Sequence, residues 1–136
     1  MLKKTTASLL LLLAGCLPPI EGSQIYPGQL EYQERVALYV EAETDLTGLV
    51  EVETSVFWKE QDCTGPEGQP GFEFRDVCLA GVTYVCERMF VYKPVEGWGA
   101  LAHELGHCWR LASGMDGDGD HSDEEYWDVL ERAKLE

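Results

Sequence analysis

The chain has 136 residues, 25 of them Asp or Glu against 10 Lys or Arg, and a formal net charge of −15. That length suits one domain with a modest core, and no second domain is expected. The acidic excess argues against nucleic acid as a partner, because phosphate binding needs basic patches; it favours solubility and attraction of cations.

The first residues, MLKKTTASLLLLLAGC, join Lys3 and Lys4 to an apolar run from Leu9 to Ala14. That run is shorter than the ~20 residues a membrane-spanning helix needs, so it reads as an export signal. Its end, LAGC, resembles the lipobox of bacterial lipoproteins. The resemblance implies that residues 1–15 are a cleaved signal and that Cys16 is lipidated as the new N-terminus, anchoring the protein to the cell envelope. In a double envelope, the leucine at position 17 implies the outer membrane. Residues 16–28, with Pro18, Pro19 and Pro27, then tether a domain at residues 29–136. The alternative is an ordinary signal with Cys16 incidental, and either way the chain leaves the cytoplasm. Loss of Lys3 and Lys4 takes the net charge from −15 to −17.

In an exported chain the remaining Cys63, Cys78, Cys86 and Cys108 suggest two disulfides, with all three pairings open. A four-cysteine zinc site is the competing reading, but no C-x-x-C pair is present.

Glu34 to Glu43 alternates Val36, Leu38 and Val40 with more polar neighbours, the period of a half-buried strand. Residues 45–61 suit a helix through Leu49, Val52 and Val56 or a strand through Val50, Val52, Thr54 and Val56. Asp45 or Thr47 as a cap, together with the length of the run, favours a helix there. Thr64 to Gly71 reads as a loop. FEFRDVCL and VTYVCERMFVY then predict a hairpin turning at Ala80 and Gly81. Pro94 to Gly99 breaks the strand before a helix over Trp98 to Leu111, with Leu101, Leu105, Cys108 and Ala112 as its core stripe. Gly114 to Gly119 ends that helix, and Asp123 to Leu135 predicts a last one, with acids at its start.

The first of these two helices carries AHELGHCW. His103 and His107 lie one turn apart, so their imidazoles can converge on one ion, whereas Glu104 projects about 100° further round. H-E-x-x-H thus offers Zn²⁺ two nitrogen ligands and a carboxylate placed to take a proton from metal-bound water. The stretch WGALAHELGHCWRL resembles the zincin metallopeptidases, and within them the metzincin branch with its H-E-x-x-H-x-x-G-x-x-H motif. The resemblance implies an α+β fold: a small zincin-like domain, a mixed β-sheet with a backing helix, and the H-E-x-x-H helix at the active site. It implies His103 and His107 as zinc ligands, Glu104 as general base, and a peptide or protein as substrate.

Three features depart from the metzincin pattern. Arg110 stands where the family has the glycine of its sharp turn, the next histidine is His121, eight positions later than the motif puts it, and no methionine follows His121. His121 is the preferred third ligand; Asp116, Asp118 or Asp120 in the glycine-rich loop, and Glu125 or Asp128 on the last helix, are the alternatives. The run DGDGD also invites a Ca²⁺ reading. Aligned on Asp116, however, an EF-hand fails at His121 in place of glycine and at Trp127 in place of the bidentate glutamate. Trp98, Trp109, Tyr126 and Trp127 read as core, with Tyr126 also able to donate to an oxyanion, and Arg88, Arg110 and Arg132 as partners for acids. The functional expectation is a zinc peptidase on the cell envelope; the alternative is a lipoprotein that binds zinc or a protein partner without turnover.

Overall fold

The computed structural model describes residues 23–135; residues 1–15 and Cys16, with the expected signal and lipid anchor, lie outside them. Along this span run α1 (Gln29–Glu43), β1 (Val56–Lys59), β2 (Cys63–Thr64), β3 (Pro70–Phe74), β4 (Val77–Leu79), β5 (Gly81–Val85), β6 (Arg88–Tyr92), α2 (Leu101–Ala112) and α3 (Glu124–Leu135). The chain is therefore a small α+β domain. Its central sheet is mixed, in the order β1-β6-β5, with β1 parallel and β5 antiparallel to β6. A second, antiparallel sheet has the order β2-β3-β4.

The first half of the domain differs from the sequence reading. The segment expected as a strand over Glu34 to Glu43 is the end of α1, and the helix expected over 45–61 is a turn followed by β1. Val36, Ala37 and Val40 are buried while Leu38 is half exposed, so the apolar face follows the helical period rather than alternation. Glutamates, alanines and leucine favour the helix locally, and 15 residues outrun an ordinary strand. Downstream, Gly48 at φ 72° interrupts any helix, and Ser55 to Lys59 draws its partners from Cys86 to Lys93, well downstream in the chain.

The expected single hairpin is two. β3 and β4 turn at Arg75 and Asp76, both at positive φ, and β5 and β6 turn at Cys86 and Glu87. Ala80 and Gly81 mark the step from one sheet to the other. The expected loop over Thr64 to Gly71 is strand at both ends, since Thr64 pairs with Pro70.

α2 bears the predicted stripe through Leu101, Leu105 and Cys108, all fully buried, although Ala112 faces solvent. Gly114 at φ 82° ends the helix: its N–H donates to Leu111 O and that of Met115 to Arg110 O, the pairing of a Schellman cap. Asp123, the residue before α3, accepts the N–H of Tyr126 on its carboxylate. Val36, Val40, Met89, Val91, Leu101, Leu105, Trp109 and Leu130 form one core shared by the central sheet and the three helices.

Two disulfides join Cys63 to Cys78 and Cys86 to Cys108. The second ties the β5–β6 turn to the middle of α2, and both fit an oxidising compartment. No helix among the described residues is long and apolar enough to cross a membrane. Ser23, inside the expected tether of residues 16–28, bridges to Phe57 in β1.

Candidate metal centre

α2 presents His103 and His107 from adjacent turns on its less buried side, and the loop between α2 and α3 brings His121 over them. The three Nε2 atoms form a triangle: His103 to His121 is 3.0 Å, His103 to His107 is 3.2 Å, and His107 to His121 is 3.2 Å. Among the described residues this is the one group of three or more side chains close enough to hold a metal ion.

Hydrogen bonding cannot account for the triangle. A neutral imidazole nitrogen carries either a proton or a lone pair, so three mutually close nitrogens satisfy at most two of their three contacts. The Nδ1–H of His107 donates to Gly117 O at 2.6 Å, which turns its Nε2 lone pair toward the other two rings. Burial, reinforced by His107, His121 and Lys134, lowers the His103 pKa to about 4. Burial also lowers the His107 pKa, against the opposing bond to Gly117. Both rings therefore stay neutral at ordinary pH and keep their lone pairs available. Around a tetrahedral Zn²⁺ with Zn–N distances of about 2.0–2.1 Å, ligand nitrogens stand about 3.3–3.4 Å apart. The observed edges of 3.0 to 3.2 Å need only a small expansion to fit.

Glu104 lines the same open groove of about 430 Å³, together with Gly81, Thr83, Tyr84, Leu111 and the three histidines. The residue is 4 % exposed, and its carboxylate accepts the Thr83 hydroxyl at 2.6 Å. Burial raises its pKa to about 7, only partly offset by the Thr83 bond. Edge strand β5 supplies both neighbours: a Cβ on Gly81 would stand 2.7 Å from the Glu104 Cγ and Oε2. Larger hollows lie elsewhere, one of about 530 Å³ between α1 and the Leu49 to Ser55 segment, but among the described residues none brings three ligating side chains together.

The other candidate ligands take different roles. Asp118 is spent on four N–H and O–H donors, three from Ser122 and Asp123 and the fourth from the Trp127 indole on α3. Chiefly the bond from the Asp123 N–H holds its carboxyl well below the usual carboxylate range. Asp116, Asp120, Glu125 and Asp128 lie outside the histidine cluster. Arg110, in the position of the motif glycine, is buried; its guanidinium donates to Asp116 O at 3.0 Å and Asp123 Oδ2 at 2.9 Å. Instead of a sharp turn at this point, α2 continues and Arg110 pins the returning loop. Tyr126 donates to Gly106 O at 2.7 Å and is buried, so its hydroxyl does not face the groove.

The sequence reading missed the group behind the triangle. The Trp127 ring centroid lies 4.7, 4.5 and 4.9 Å from those of His103, His107 and His121. Gly106 permits this approach, since a Cβ there would stand 2.9 Å from Trp127 Cζ3. Gly106 sits in the motif, but Trp127, Thr83 and Gly81 carry no local signal. No protein-family model, curated protein or solved structure matches the chain.

Proposed function

We propose that this protein is a small zincin-like, zinc-dependent peptidase, exported and held on the cell envelope through Cys16. The observation that carries the reading is the convergence of three imidazole nitrogens beside Glu104 in one open groove. A Zn²⁺ ion held by His103, His107 and His121 would polarise a carbonyl and lower the pKa of bound water towards about 7. Glu104 accepts the water's proton and passes it to the departing amine, a role matched by a carboxyl whose pKa burial raises to about 7. Thr83 orients that carboxylate, and edge strand β5 borders the groove where an extended peptide would lie.

A second reading, a zinc-binding lipoprotein without turnover, draws support from the burial of Glu104 and its bond to Thr83, which a working base must share with water. One experiment separates the two: zinc analysis combined with digestion of a peptide library by wild type, Glu104→Gln and His107→Ala. The peptidase reading expects Glu104→Gln to keep zinc and lose cleavage, and His107→Ala to lose both. Zinc in wild type without Glu104-dependent cleavage would favour the binder.

A further inference from the structure

We infer that Asp118 is the positioning residue that closes the metal centre: it does not ligate, but its carboxylate holds the loop that carries His121 over His103 and His107. The inference rests on the metal-site reading above and says how this chain brings in a third ligand without the turn of the H-E-x-x-H-x-x-G-x-x-H pattern.

His121 comes from a stretch with no helix or strand of its own, between the end of α2 and the start of α3. A ligand on such a loop is useful only if its backbone is held, because every residue ordered on binding subtracts from affinity. Asp118 supplies that hold from three sides. Its carbonyl accepts the His121 N–H at 2.9 Å. Oδ1 accepts the Ser122 N–H at 3.0 Å and the Ser122 hydroxyl at 2.8 Å, while Oδ2 accepts the Asp123 N–H at 2.9 Å. The fourth donor is the Trp127 indole N–H, 2.8 Å from Oδ2.

That last bond links the loop to the ring behind all three imidazoles. One carboxylate thus sets both the path of the His121 backbone and the seat of Trp127. Asp118 and His121 both have left-handed backbones, at φ 60° and 57°, a conformation uncommon outside glycine that Asp and His tolerate better than most residues and that these hydrogen bonds hold in place. With about four acceptor positions on a carboxylate and four donors already on them, none is left for a metal ion. The side chain is 6 % exposed, so water does not replace a lost donor readily.

The test is a chelator-competition titration of Zn²⁺, with Co²⁺ absorption as a reporter of ligand geometry, on the full chain. Asp118→Asn puts an NH₂ group against donors that need an acceptor, and is expected to weaken metal affinity about 10–100-fold and alter the Co²⁺ spectrum. Ser122→Ala removes one donor and is expected to cost less. In a His121→Ala background, Asp118→Asn is expected to cost far less affinity, since no third ligand remains to position and only the seat of Trp127 behind His103 and His107 is disturbed. A purely structural role would not produce that dependence.

Unchanged affinity in Asp118→Asn, or an equal loss with and without His121, overturns the inference and leaves the histidine site standing. Failure of the wild type to bind either metal overturns the site reading itself, and the inference with it. Should Asp118→Asn not fold, by circular dichroism, Ser122→Ala with the same paired comparison decides the matter.

Discussion

Gly106→Ala sets two well-defined effects against each other. On an exposed helix face, replacing glycine by alanine gains about 1 kcal/mol, because the unfolded chain has less freedom to lose. At position 106 the new methyl would stand 2.9 Å from Trp127 Cζ3, 3.0 Å from Leu130 Cγ and 3.3 Å from Leu130 Cδ1. Both neighbours are buried on α3, so neither can swing into solvent. Adding a methyl to a filled interior costs about 1–3 kcal/mol, which leaves a net destabilisation of about 0–2 kcal/mol after the helix gain. The displaced group would be the indole behind the three imidazoles, so metal affinity should fall as well. Urea unfolding of chelator-treated protein measures the first effect and zinc competition the second. A variant more stable than wild type by about 1 kcal/mol, with unchanged zinc affinity, would mean that α3 does not press on α2 at Gly106.

Two further outcomes follow from the same geometry. Burial raises the Glu104 pKa to about 7 from the ordinary 4.5, so between these pH values the folded chain holds a proton there that the unfolded chain has released. That contribution to stability is present below about pH 4.5 and lost as pH rises to about 7. In metal-free protein, Glu104→Gln should gain stability over wild type between about pH 5 and pH 8, by up to about 3 kcal/mol. A gain that does not change with pH in denaturant titrations would show that the carboxyl titrates normally. Replacing either cysteine pair by serine should cost about 3 kcal/mol by the chain-entropy argument, the loops closed spanning 15 and 22 residues. Loss of Cys86–Cys108 should also speed hydrogen exchange in β5, because that bond ties the groove's edge to α2, whereas loss of Cys63–Cys78 should leave β5 unaffected.

Much of the site could be read locally. His103, Glu104 and His107 lie within a single turn and a half of one helix, so the spacing already implied which side chains share a face, and α2 follows the apolar stripe that predicted it. His121 was named from proximity in sequence and from the glycines before it, and the loop does bring it to the other two. Asp118 was weighed as a ligand from its type and its nearness to His121 in the sequence. Its actual bonds go to Ser122, Asp123 and Trp127, which nothing in the DGDGD pattern reveals.

The first half of the fold was less legible. Val36, Leu38 and Val40 satisfy alternation, and the buried set Val36, Ala37 and Val40 satisfies a helix; the choice was made by what lies above and below, which leaves Leu38 exposed. Likewise Val56 to Lys59 pairs in parallel with Met89 to Tyr92, a partnership across more than thirty positions that no local window contains.

By itself, the sequence determined an acidic chain with a helix that aims two imidazoles and a neighbouring carboxylate by its 3.6-residue repeat. Only the tertiary structure decided that a third imidazole joins them, that an indole backs the set and that Thr83 holds the carboxylate. Helical periodicity is a property of adjacent residues, whereas those contacts depend on where the α2–α3 loop, α3 and β5 come to rest against α2.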